Sequence, residues 1–248
     1  TARAMQRALT EGGVVEENVE VYNVGGAGGT IGLAQFVNDH AGDPNQLMVM
    51  GLVMVGAIHL NDSPVDLSQP TPIASLITEW EGIVVPSGSE YRSLKELLED
   101  FKADPESVSW AGGSAGSTDQ ILAGLLAREV GVDPARVNYV AHSGGGEANA
   151  AILSGSVTAG VSGLAEFMDQ VRAGKMRLLA VSSGERIEGV DAPTLKELGY
   201  DLVVPNWRGV MAPPDIEEED RQAITDMIRE MRATSVWKKT LRQNDWTD

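Results

Sequence analysis

Four glycine-rich turns follow predicted strand ends and hold most of the residues that could bind a small molecule. They are the runs 25–29, 112–118, 143–146 and 162–163. A glycine-rich turn that opens a helix exposes backbone N–H groups, and the helix dipole adds partial positive charge there. Such a turn can receive an anion without a lysine. We therefore predict an anion site made of main-chain and hydroxyl donors.

The run 112–118 has the richest set of donors, because three hydroxyl side chains accompany its glycines. A charge-assisted hydrogen bond contributes roughly 1.5–3 kcal/mol net, so a few of them could supply the roughly 8 kcal/mol of micromolar binding. Any one of these turns could instead serve only as a tight turn or helix cap. The residues of the four turns predicted to bind the ligand are Ser114, Ala115, Gly116, Ser117, Thr118, Ser143, Gly144, Ser162 and Ala27.

The run 112–116 also fits the pattern G-x-S-x-G between a strand and a helix. This pattern is typical of the nucleophile turn of α/β-hydrolases. Ser114 would then be the nucleophile, and His142 is the only histidine that follows it in the sequence. The alternative function is therefore an α/β-type serine hydrolase that uses Ser114.

Nucleotide and metal sites are not indicated by the remaining motifs. The run 26–32 approximates a dinucleotide-binding fingerprint, but it has one residue too many before its last glycine, and no acidic residue follows the next strand. The three histidines have no metal-ligand spacing, and the chain has no cysteine. We predict no cofactor and no metal.

Short apolar strands alternate with helical patterns, which is typical of a mostly parallel α/β sheet. Strands are predicted at 19–24, 47–50, 73–78, 82–86, 108–111, 137–141, 157–162, 177–182, 202–204 and 209–211. Helices are predicted at 1–9, 30–38, 93–102, 118–130, 147–153 and 165–173, and a long last helix begins at Asp215 and has Arg229 and Arg232 near its end. Ligands of open α/β sheets bind beyond the carboxyl ends of the strands, where the glycine-rich turns lie.

The neighbouring strands at 73–78 and 82–86 have no helix between them, which indicates a change of topology. A chain that leaves a first lobe there must return to it for the strands near 202 and 209. We therefore predict two lobes, one formed by residues 1–88 with 200–248 and the other by residues 89–199.

The composition of the chain disfavours some classes of binding partner. The chain has 248 residues, of which 42% are hydrophobic, so it can bury a substantial core. Its formal net charge of −17 disfavours nucleic acid and anionic lipid. No apolar run approaches the roughly 20 residues of a membrane-spanning helix. The first residues read as the interior of a helix, so we expect that a signal peptide was removed upstream.

Together with these patterns, the sequence resembles the substrate-binding proteins of tripartite tricarboxylate transporters, also called the Bug family. The runs that carry the resemblance are 23–29, 112–119, 140–147, 173–177 and 207–213. The runs 143–147 and 161–166 look closest to the tricarboxylate branch of the family. The resemblance covers nearly the whole chain.

The resemblance implies a two-lobed periplasmic-binding-protein-like fold of type II, with a mostly parallel sheet in each lobe and lobes that close around the ligand. It implies a monomeric, non-enzymatic, periplasmic receptor that delivers a small di- or tricarboxylate such as citrate to membrane permease subunits. Asp119 joins the predicted ligand residues on this basis. The family's opening strand and its ligand turn would precede Thr1. A sensory or interaction module on the same fold stays possible.

Overall fold

The computed structural model describes residues 1–248 and divides into two compact units. The first unit comprises Thr1–Thr78 and Trp207–Asp248, and the second comprises Glu79–Asn206. The chain passes from one unit to the other inside two strands, β2 (Thr71–Pro86) and β7 (Pro205–Ala212).

The first unit is formed by helices that pack on short strands. Its further elements are α1 (Ala2–Glu11), α2 (Thr30–Asp39), β1 (Met48–Gly51), α3 (Leu52–Leu60), α8 (Glu218–Ala233) and α9 (Ser235–Gln243). Strand β1 pairs with β7 in antiparallel orientation, and Met48 lies opposite Met211. The core gathers apolar residues of α1, α8 and α9 around the fully buried Trp237. None of the helices in the protein is both long and apolar enough to span a bilayer.

The second unit contains the regular alternation of strands and helices. Its elements are α4 (Leu94–Ala103), β3 (Trp110–Gly112), α5 (Thr118–Glu129), β4 (Tyr139–Ala141), α6 (Gly145–Leu153), β5 (Ala159–Gly163), α7 (Leu164–Arg172) and β6 (Met176–Val181). Strand β3 runs parallel to both β4 and β5. The core includes Phe101, whose ring packs edge-on against Trp110 at a centroid distance of 5.5 Å. The α/β class is thus confirmed.

The sheet is mixed rather than mostly parallel, which corrects the sequence-based prediction. Strand β2 lies between β5 and β6 and runs antiparallel to both. The crossover β5-α7-β6 gives its two strands the same direction, but it does not require them to be neighbours in the sheet. The alternation of strands and helices along the chain therefore predicts that β5 and β6 run in the same direction. It does not reveal that β2, from an earlier part of the chain, lies between them.

The predicted strand at 19–24 is not formed. The segment has the alternating pattern of a strand, yet it pairs with no strand of residues 1–248. It borders a cavity of about 360 Å³ that is also lined by residues of α1, α2 and β1. A strand requires a hydrogen-bonded neighbour, so the residue pattern alone does not produce one.

Other boundaries also differ from the sequence-based prediction. The two strands predicted at 73–78 and 82–86 form the single strand β2, in which Gly82 fits closely against Leu178. Residues 202–204 do not form a strand, and β7 begins only at Pro205. Helix α8 begins at Glu218, since Asp215 has a left-handed φ of 61°. Helices α3 and α9 were not predicted from the sequence.

The core of the second unit should dominate its stability. Leu122 of α5 is fully buried, whereas Leu153 of α6 is 40% exposed. Leu122→Ala should lower the free energy of unfolding by about 2–5 kcal/mol, because it removes apolar contacts and leaves a cavity. Leu153→Ala is the matched control and should cost at most about 1 kcal/mol. Urea titration of both variants measures the difference, and equal losses would contradict this packing.

Candidate functional site

The turn between β3 and α5 is closed by hydrogen bonds among its own residues. The N–H group of Gly113 donates to Asp119 Oδ2 at 2.7 Å, and that of Gly116 donates to Gln120 Oε1 at 2.7 Å. Gly116 has a φ of 77°, which favours glycine because a side chain is strained there. Ser117 caps the helix by accepting a hydrogen bond from the Gln120 N–H group.

Two N–H groups of this turn point to no acceptor within residues 1–248. They belong to Ser114 and Ala115, and the Ser114 hydroxyl is likewise without a partner. Ser114 is half-buried and Ala115 is exposed, so a ligand can reach both residues. The 12-residue helix α5 begins directly after the turn and adds the partial positive charge of its N-terminus. These donors form a candidate site for an anion.

The hydroxyls of Ser117 and Thr118 are engaged inside the protein. Ser117 Oγ lies 3.2 Å from Tyr139 Oη, and that phenol donates to the Gly113 carbonyl. Thr118 is fully buried, and its hydroxyl donates to Asn206 Oδ1 at 3.3 Å. Both hydroxyls therefore hold the turn in place through hydrogen bonds inside the protein.

Asn206 continues this buried network into strand β2. Its side-chain amide donates to Glu79 Oε1 at 3.2 Å and to Glu81 Oε1 at 2.7 Å. Glu81 is fully buried, and its own N–H group donates to Ser182 Oγ. The network ties the start of α5 to two other strand segments of the second unit.

Asp119 is a buried carboxyl group next to the open donors. Only 6% of the residue is exposed. Burial is the main cause that raises the pKa of Asp119 to about 6, and the negative charge of Glu166 contributes in the same direction. Hydrogen bonds from the Gly113 N–H group and from its own N–H group act in the opposite direction. The group therefore titrates close to neutral pH.

The turn before α6 already holds carboxylates of the protein itself. The N–H group of Ser143 donates to Glu147 Oε2 at 3.1 Å, which lowers the pKa of Glu147. The Glu166 carboxylate accepts from Ser162 Oγ at 2.9 Å and lies so close to Gly145 that a Cβ there would overlap it. An internal anion thus stands at the N-terminus of α6, next to Gly144.

Ala27 belongs to the first unit. It is exposed, has a φ of 45°, and its carbonyl accepts from Thr30 Oγ1 at 3.0 Å. Its carbonyl also accepts from the Asn61 side chain at 3.4 Å. The three-residue 3-10 helix from Ala27 to Gly29 leads directly into α2.

Nine of the ten predicted ligand residues lie in the second unit, and parallel strand pairing explains why they gather. The turns after β3 and β4 and the end of β5 share one edge, because these strands run in the same direction. Sequence reasoning missed the polar partners of these turns. Those partners are Tyr139, Glu166, Asn206 and Gln120. Of these partners, only Gln120 could have been inferred from the sequence, because it lies four residues after Gly116.

Three comparisons with known proteins agree on the family and the fold of this chain. The family description "Tripartite tricarboxylate transporter family receptor", TctC, matches residues 2–247. The chain is 29% identical over 217 residues to protein BugT of Bordetella pertussis, which covers 86% of this chain and 65% of BugT. The chain thus spans just under two thirds of that relative's length.

Solved structures show the same fold. The periplasmic binding protein BugD matches with a TM-score of 0.86 and 23% identity, over 99% of this chain and 81% of BugD. MatC from Rhodopseudomonas palustris, with bound malate, matches with a TM-score of 0.85 and 24% identity, over 99% of this chain and 83% of MatC. The predicted periplasmic-binding-protein-like fold is confirmed. So is the resemblance found in the sequence, and the chain belongs to the tripartite tricarboxylate transporter receptor family, TctC.

Proposed function

We propose that this chain is a solute-binding receptor that binds a small di- or tricarboxylate without altering it. The observation that carries the proposal is the pair of N–H groups on Ser114 and Ala115, which have no acceptor within the protein and stand at the start of α5. Family membership supports the receptor role, and the malate bound to MatC supports the ligand class.

The internal hydrogen bonds divide the predicted ligand residues into two groups. Ser114 and Ala115 contact the carboxylate directly, because theirs are the N–H groups between Gly113 and Ser117 that have no acceptor in the protein. Ser117, Thr118 and Asp119 hold the turn in place through their internal bonds, together with Gly116. Roles for Ser143, Gly144, Ser162 and Ala27 in ligand contact stay predictions.

The setting follows from the family. We infer that the receptor acts as a periplasmic monomer and passes its ligand to the membrane permease subunits of a tripartite transporter. We also propose that its two compact units are the two lobes of the binding protein, with boundaries near 78 and 206. The acidic surface disfavours nucleic acid as a partner, because the formal net charge is −17.

Catalysis by Ser114 is not part of the proposal. A serine nucleophile requires a base within hydrogen-bond reach. Here Nδ1 of His142 lies 3.2 Å from the Gly112 carbonyl, and no hydrogen bond joins His142 to the Ser114 hydroxyl.

A carboxylate screen tests the proposed function. A ligand that binds only the folded state stabilises it by about 2.7 kcal/mol at 100 times its dissociation constant. Malate, adipate and citrate should therefore raise the unfolding temperature in a thermal-shift assay, whereas glucose and putrescine should not. The proposal fails if none of the three carboxylates changes the unfolding temperature at millimolar concentration.

Ala115→Asp tests the site itself. The new carboxylate would lie where the ligand carboxylate binds, and affinity for malate should fall by roughly 2–3 kcal/mol, about 30- to 150-fold. Ala135→Asp is the matched control, because Ala135 is also an exposed alanine at a turn of the second unit, and it should bind normally. Titration calorimetry measures both affinities. Equal affinities would remove the turn from the site.

An esterase assay tests the hydrolase alternative. We expect no turnover of p-nitrophenyl acetate above the background given by Ser114→Ala. Turnover by the wild-type chain that Ser114→Ala abolishes would establish the enzymatic reading instead.

A further inference from the structure

The carboxyl group of Asp119 is placed to sense the ligand. It is the second residue of α5, and it accepts the N–H group of Gly113, the residue just before the two open donors. A carboxylate bound by the N–H groups of Ser114 and Ala115 would therefore lie one residue away from this bond. Asp119 and the ligand would be two like charges at one turn.

The groups that face Asp119 come from four elements. They are Glu166 of α7, Ser162 of β5, Tyr139 of β4 and, through Tyr139, Glu81 of β2. The carboxylates among them repel a further negative charge, and burial raises the pKa of Tyr139, so its phenol stays protonated. His142 follows β4, and its Nδ1 lies 3.2 Å from the Gly112 carbonyl, so its imidazole is the other ionisable side chain near this turn.

Binding of an anion changes the proton affinity of such a carboxyl. The pKa of Asp119 is already raised to about 6, mainly by burial. A second carboxylate at the turn disfavours the charged form of Asp119 further, so its pKa must be higher in the complex than in the free protein.

We propose that Asp119 couples carboxylate binding to proton uptake, so that the receptor binds its ligand more tightly when this buried carboxyl is protonated. The proposal rests on the proposed function and adds a pH dependence to the same site. Asp119 acts here as a positioning residue, since it touches the turn and not the ligand.

The sign of the effect follows from linkage. Below the pKa of the free protein, Asp119 is protonated with and without ligand, and affinity is at its highest. As pH rises from about 6 to the pKa in the complex, binding must take up a proton, so affinity falls by up to about tenfold per pH unit. Above that range both forms are ionised, and affinity is constant and weak.

Calorimetric titration of the full chain with malate and adipate tests this between pH 6.5 and 8.5, where both ligands are dianions. The dissociation constant should rise at least about fivefold over this range. Repeating the titration in buffers of different ionisation enthalpy should reveal uptake of a fraction of one proton per ligand near pH 7. An affinity that does not change with pH contradicts the proposal.

Three variants test whether the proton taken up on binding goes to Asp119. Asp119→Asn keeps an oxygen that can accept from Gly113 but cannot ionise, so its affinity should be independent of pH and should exceed the wild-type affinity, by the largest factor at pH 8.5. His142→Gln and the exposed Asp169→Asn should keep the wild-type pH dependence. A slope that persists in Asp119→Asn, or disappears in His142→Gln, overturns the assignment.

Carboxyl NMR of the wild-type chain covers the case in which Asp119→Asn does not fold. The pKa of the Asp119 carboxyl should move upward on addition of malate, and an unchanged pKa contradicts the proposal. If neither malate nor adipate binds at any pH, the proposed function itself is wrong for these ligands and the inference falls with it. Binding without pH dependence refutes only the inference.

Discussion

The hydrogen bond between the Gly113 N–H group and the Asp119 carboxyl is the constraint on which the candidate site depends. It joins the end of β3 to the first turn of α5 and leaves the residues between them as a short closed loop. Because the N–H groups of Gly113, Gly116 and Ser117 donate inside this loop, those of Ser114 and Ala115 are left without an acceptor in the protein. Replacing Asp119 with an apolar residue would leave the Gly113 N–H group without an acceptor, which costs more than a hydrogen bond contributes.

An acidic protein that binds an anion must keep its own carboxylates from competing for the same donors. Here that competition is visible. Glu166 lies at the N-terminus of α6 and Glu147 accepts from Ser143, so the protein's own carboxylates already lie at the helix start that looked equally suited to a ligand in the sequence. At α5 the internal acceptors, Asp119 and Gln120, bind donors on either side of Ser114 and Ala115. Local donor geometry, and not the net charge, then decides where an anion can bind.

The sequence predicted the elements of the second unit well, because its helices are amphipathic and its strands are short and separated by glycine-rich turns. It could not predict the mixed sheet, since the pairing of β2 with β5 and β6 joins segments about 80 to 100 residues apart. The same separation hid Asn206, which meets Thr118 across 88 positions. Helix α3 escaped prediction because it is apolar on all sides and so lacks a helical period. The candidate turn was therefore predictable, whereas its polar supports were not.

A buried carboxyl with a raised pKa lowers stability as pH rises, since the folded state holds the proton more tightly than the unfolded chain does. For Asp119 this contribution is complete below the ordinary pKa of aspartate and is lost as pH rises through about 6. The fold thus retains at neutral pH a charge that it would be more stable without. That cost is understandable if the acceptor is needed at this position, because no neutral side chain of the same length except asparagine could bind the Gly113 N–H group. Hydrogen bonding alone does not explain why the residue is aspartate and not asparagine, since both would close the turn. The two residues differ in whether they can ionise, and so in how the site responds to a bound negative charge.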